Sequence, residues 1–175
     1  DRWSGGVWFC DLAEARDSDG VLRAVADGLD TELDRDPAAQ LGRALRGRGR
    51  CLVILDNLEQ VTRPAADLLG RWMDAAPETA FVVTSRERIG LIGEVVLRLD
   101  PLDQAAAESL FLARAASAQA EVRTEDRGAV TDLVKELDYL PLAIELAAAR
   151  ARMLSPAAML ARMKDRFRLL RASGG

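Results

Sequence analysis

Between Cys51 and Glu59 an uninterrupted apolar run, Leu52 to Leu55, ends abruptly in Asp56. A continuous run this short suits a strand buried on both faces of a parallel sheet, because such strands lack the alternation of a half-solvated one. A carboxylate at the carboxyl end of that strand lies at the edge where open α/β sheets bind their ligands. Taken alone, the same residues also read as an ordinary buried strand followed by an Asx turn.

The flanking sequence repeats the theme. Gly5 and Gly6 precede Val7 to Cys10, a second apolar run that reads as a buried strand and ends at Asp11. Asp17, Ser18 and Asp19 offer a helix cap, and Val21, Leu22, Val25, Ala26 and Leu29 follow at helical spacing. Asp36 and Pro37 start another helix, with Leu41, Ala44 and Leu45 as its inner face and Gly47 and Gly49 as its stop. Strand, two helices and strand is the grammar of a parallel pair joined by a right-handed crossover. Beyond Glu59, Pro64 suits a helical first turn, Ala65, Leu68, Leu69, Trp72 and Met73 keep the period, and Ala76-Pro77 ends it. Phe81 to Ser85 reads as a third strand with Arg86 at its carboxyl end. Val95 to Leu99 reads as a fourth, closed by Asp100 and Pro101.

From Pro101 onward no strand is expected. Asp103 caps a helix through Leu110, Phe111 and Ala115, and Val130, Leu133, Val134 and Leu137 form an amphipathic helix that starts near Thr124 or Asp126. Leu140-Pro141-Leu142 reads as a break. A long helix is expected from Ala143 to Met153, and a last one from Ser155-Pro156 towards Phe167 and Leu170. The chain thus reads as an α/β part, residues 1–100, and an all-helical part, residues 101–175.

Composition excludes several chemistries. The sequence has 175 residues, no His and only two Cys, Cys10 and Cys51, which rules out histidine triads, histidine bases and a zinc site. Both cysteines read as strand residues in a reducing cytoplasm. The net charge of −4 makes no electrostatic case for nucleic acid. No run is long enough to span a membrane, so a cytoplasmic location with no membrane partner is expected. The chain begins without Met and reads as a piece of something longer.

Three segments taken in order carry a specific resemblance. Leu55-Asp56-Asn57 with Glu59, then Thr84-Ser85-Arg86-Glu87, then Leu140-Pro141-Leu142-Ala143-Ile144-Glu145 running on to Arg150 resemble the STAND class of P-loop ATPases. More narrowly, they resemble the NB-ARC-type modules of bacterial LuxR- or SARP-like transcriptional regulators. The likeness runs over nearly the whole chain, including Leu154-Ser155-Pro156 and Asp165-Arg166-Phe167.

The resemblance implies a truncated P-loop NTPase parallel sheet with helices on both faces, followed by a helical lid subdomain. Asp56 would be the Walker B aspartate, holding Mg²⁺ beside the phosphates of ATP or ADP. Asn57 stands where many relatives have a second acid, and Glu59 matches the bacterial form of the motif as a further catalytic candidate. Arg86 would read the γ-phosphate; taken alone it reads as a surface arginine pairing with Glu87 or Glu94. Pro141 would lie against the adenine. Tyr139 replaces the Gly of that Gly-Leu-Pro-Leu motif, which puts the local turn in question.

The Walker A loop, Gly-x-x-x-x-Gly-Lys-Ser/Thr, is missing, since neither Lys135 nor Lys164 follows a Gly. By the resemblance, that loop and its strand precede Val7 in an intact parent, whose effector domains follow. The expected sheet order is Val7–Cys10, Leu52–Leu55, Phe81–Ser85, a vacancy, then a detached Val95–Leu99. The open edge next to the vacancy offers a route to self-association. A non-catalytic interaction scaffold that kept the fold is the alternative to an ATP-driven switch.

Overall fold

The computed structural model describes residues 2–163; Phe167, Leu170 and the Asp165-Arg166-Phe167 segment lie outside the described residues. The chain forms two compact units, Asp1–Leu97 and Arg98–Gly175.

The first unit is built on three parallel strands, β1 (Val7–Asp11), β2 (Leu52–Asp56) and β3 (Ala80–Val83), in the order β1-β2-β3. Val7, Leu52 and Ala80 stand in register, as do Cys10, Leu55 and Val83, and Asp11 lies beside Asp56. Helices α1 (Ser18–Gly28) and α2 (Pro37–Arg48) make the first crossover and α3 (Thr62–Ala75) the second. Asp17 caps α1 by accepting from the Gly20 amide at 2.8 Å, and Asp36 caps α2 from the Ala39 amide at 3.2 Å. Both carboxylates satisfy amides that have no partner within their helix. Gly28 lets α1 lie close on β1: a Cβ there would come within 2.5 Å of the Cys10 Sγ. Trp72 fills the space between α2 and α3, fully buried, its indole N–H donating to the Ala38 carbonyl at 2.9 Å.

The three helices pack on one another and therefore share one face of the sheet. Cys10, Val53 and Leu55 are buried with them, and Trp8, Phe81 and Val83 pack against that core. The other face carries Val7, Phe9, Ile54 and Val82 and has no helix on it in this unit; Phe9 is 57% exposed and Val82 49%. Helices on both faces were expected, and the described residues of this unit supply them on one face only. The reason is topological. Successive right-handed crossovers that step the same way across a sheet leave every helix on the same side. Only a reversal of direction covers the second face.

The expected fourth strand is also absent among the described residues. Val95 to Leu99 is irregular and forms no ladder with β3, with Val95 93% and Leu97 83% exposed. An apolar run becomes a strand only when a neighbour accepts its backbone hydrogen bonds, and this one has none. Detachment from β3 was expected; strand conformation was not reached. The third strand ends at Val83 rather than Ser85, because Thr84 turns its hydroxyl and carbonyl to the β2 end.

The second unit contains α4 (Gln104–Ser117), α5 (Arg127–Glu136), α6 (Pro141–Ala148) and a helical stretch over residues 156–163. Asp103 caps α4 through the Ala106 amide at 2.7 Å. Phe111, Leu133, Val134 and Ile144 form its core. Pro141 is the first residue of α6 rather than a break, since a proline there forgoes an amide the helix leaves unpaired anyway. The helix expected to reach Met153 stops at Ala148 and continues as turns.

Candidate functional site

Sequence places acids at the carboxyl ends of two apolar runs; the parallel register turns that into a site. Asp11 and Asp56 are adjacent on the first two strands. Asn57, directly after Asp56, adopts the left-handed conformation at φ 62°, which asparagine tolerates better than most residues. Its side-chain amide then donates to both neighbours, 3.2 Å to the Asp11 Oδ1 and 3.3 Å to the Asp56 Oδ2. Just past the third strand, the Thr84 hydroxyl donates to the other Asp56 oxygen and accepts from the Asn57 backbone amide at 3.0 Å. The Thr84 carbonyl accepts from the Leu58 amide at 3.1 Å. Four polar side chains from three strand ends therefore form one network.

The Ala13 amide and then the Asn57 side chain, both donating to Asp11, hold its carboxyl below the usual aspartate range. Cys10, just before Asp11, is buried, and burial pushes its thiol up to about 11. The Cys51 thiol lies 3.4 Å from the Thr79 hydroxyl inside the core.

Glu59 and Arg86 form a second pair beside the network, Arg86 Nε to Glu59 Oε1 at 3.1 Å, with the arginine 81% exposed and the glutamate far less so. Taken alone, Arg86 reads as a surface residue pairing with Glu87 or Glu94; its role as the γ-phosphate reader comes from the resemblance. Its partner is instead the glutamate that follows the β2 end. Glu94 is engaged elsewhere, accepting from the Ile89 and Gly90 amides.

Asp56, Asn57, Glu59 and Arg86 thus gather at one edge of the first unit. Pro141 belongs to the second unit, where it opens α6 between the exposed Leu140 and Leu142. Tyr139 has φ 56°, so the turn before it keeps the left-handed geometry that glycine favours; the Tyr139 amide donates to the Val134 carbonyl at 3.1 Å. Asp11 and Thr84 were missed as site residues. The signal for Asp11 was present, since it ends its run as Asp56 ends its own, and parallel pairing makes such ends neighbours.

The Asp11 and Asp56 carboxylates and the Thr84 hydroxyl offer oxygen atoms at this edge, the ligand type a hard divalent cation takes. Among the described residues no group of three His, Cys, Asp or Glu could hold a metal by itself. No helix among them is long and apolar enough to cross a membrane.

No known family profile matches the chain. It is 36% identical over 176 residues to an uncharacterised protein of Mycobacterium tuberculosis and to its counterpart in Mycobacterium bovis, covering 97% of this chain and 44% of theirs. It is also 36% identical over 173 residues to a Mycobacterium tuberculosis protein named "Putative HTH-type transcriptional regulator", covering 94% of this chain and 19% of that one. The chain spans less than half the length of each of these relatives.

Proposed function

We propose that this chain is part of a STAND-class ATP/ADP switch carried within a bacterial transcriptional regulator. The observation that carries the reading is the polar network of Asp11, Asp56, Asn57 and Thr84 at the carboxyl edge of parallel strands, with the Arg86 cation beside it. The relative named as a transcriptional regulator supports the context.

In this reading Asp56 supplies a carboxylate oxygen to Mg²⁺, and Thr84 and Asn57 fix how that carboxylate points. Mg²⁺ held there would neutralise phosphate charge. Arg86 exchanges Glu59 for the γ-phosphate, so that ATP and ADP leave Arg86 with different partners and favour different states of the switch. The phosphate cradle comes from another segment of the intact polypeptide. A strand pairing with the free β3 edge and a helix covering Phe9, Ile54 and Val82 would bring that loop to the network.

The test uses the intact polypeptide that carries this segment, titrated calorimetrically with MgATP and MgADP. Asp56→Ala should weaken Mg²⁺-dependent binding and hydrolysis, and Arg86→Ala should abolish the distinction between the two nucleotides. Absence of nucleotide binding by the intact protein would overturn this reading and favour the scaffold alternative. The 175-residue chain alone should neither hydrolyse ATP nor bind it tightly, for want of the cradle. Low-micromolar affinity of that chain would contradict the reading.

A further inference from the structure

Helices α2 and α3 meet closely, because Gly42 leaves room for its neighbour: a Cβ there would sit 3.1 Å from the Ala75 Cβ. Along their junction runs an open groove of about 310 Å³, with Ala38, Gly42 and Ala75 as its small apolar floor and Arg43, Arg46 and Arg71 around it. All three arginines are exposed, and among the described residues none enters an ion pair or a side-chain hydrogen bond. Asp67 and Asp74, on the same helix as Arg71, do not pair with it. Arg48, at the end of α2, shows the contrast. Its guanidinium lies 4.5 Å from the centre of the Trp8 ring and donates to the Ala44 and Leu29 carbonyls.

We propose that this groove docks an acidic, amphipathic segment of a partner protein. Three guanidinium groups without an ion-pair partner among the described residues, in a chain of net charge −4, are a local feature, not the overflow of a basic protein. Guanidinium groups match carboxylates in a bidentate geometry. The floor has no polar side chain and takes small apolar ones. A ligand that uses both is one with carboxylates on its flanks and aliphatic side chains between them. A free phosphate would leave the floor unused. A nucleic acid would meet no aromatic platform in this groove and an unfavourable overall charge.

The experiment uses this chain and a fluorescein-labelled peptide of ~15 residues with Leu and Glu at helical spacing, long enough to form several helical turns. Fluorescence anisotropy should show saturable binding that weakens as salt rises. Arg43→Ala with Arg46→Ala, and separately Arg71→Ala, should each weaken it about tenfold or more, while replacement of Arg43 and Arg46 by Lys loses less. Thermal melting of each variant checks that it folds. Phe9→Ser with Val82→Thr should leave binding intact, which separates the groove from the bare sheet face. The same peptide with Lys in place of Glu should not bind. Any of three results overturns the proposal: no saturation up to ~1 mM peptide, affinity unchanged in the arginine variants, or tighter binding of a short DNA duplex than of the acidic peptide.

Discussion

The Thr84 hydroxyl links two strands at one point, donating to the Asp56 carboxylate while accepting the Asn57 amide at 3.0 Å. Removing it affects both partners. Thr84→Val should leave the Asn57 amide to water and free Asp56 to rotate, at a cost of about 1 kcal/mol for an exposed bond of this kind. Thr84→Ser should restore most of it. Urea denaturation of the two variants checks the stability. Mg²⁺-dependent nucleotide binding by the intact protein checks the orientation of Asp56; equal binding in the valine variant would deny Thr84 that role.

Asp11 gives the network a pH dependence. Its folded carboxyl is lowered by donors that act on the charged form. Its contribution to stability is therefore present above the unfolded aspartate value and is lost as pH falls through the folded one. Asp11→Asn should flatten the stability profile only below about pH 4, the range of an ordinary aspartate. Melting temperatures measured from pH 3 to pH 7 test this, and an effect centred near neutrality would assign it to another group.

Trp72 anchors the helical layer. Trp72→Ala removes a fully buried ring and should cost about 3–5 kcal/mol. Trp72→Phe keeps most of the volume but loses the indole hydrogen bond to the Ala38 carbonyl, which keeps its bond within α2, at about 1 kcal/mol. Equilibrium unfolding followed by circular dichroism gives both values; near-equal values would mean that the hydrogen bond, not the packing, dominates.

The bare sheet face should make the isolated chain associate. Phe9→Ser with Val82→Thr replaces two half-exposed apolar side chains without touching the core, so stability should change by less than about 0.5 kcal/mol. Sedimentation velocity should show less association than in the unaltered chain. If association persists undiminished, the free β3 edge or the exposed Val95 to Leu99 run is the contact instead.

Local features of this protein are legible in its sequence. The apolar runs ending in Asp11 and Asp56, the caps at Asp17, Asp36 and Asp103, and the helical spacing from Ala65 to Trp72 all act over a few residues, where hydrogen-bond and burial demands are met by neighbours in the chain. Asp56 and Arg86 were marked as strand-end residues by the same local signals, whereas Asn57 and Glu59 were marked only by the family resemblance. Tertiary structure alone decided which of these meet. Strand order and the hand of the crossovers put α1, α2 and α3 on one face and left Phe9 and Val82 bare. Parallel register set Asp11 beside Asp56. The turn after β3 brought Thr84 to Asp56 and Arg86 to Glu59 rather than to an acid nearby in sequence. The run from Val95 to Leu99 has the composition of a strand and is not one here, because a strand needs a partner as well as a pattern.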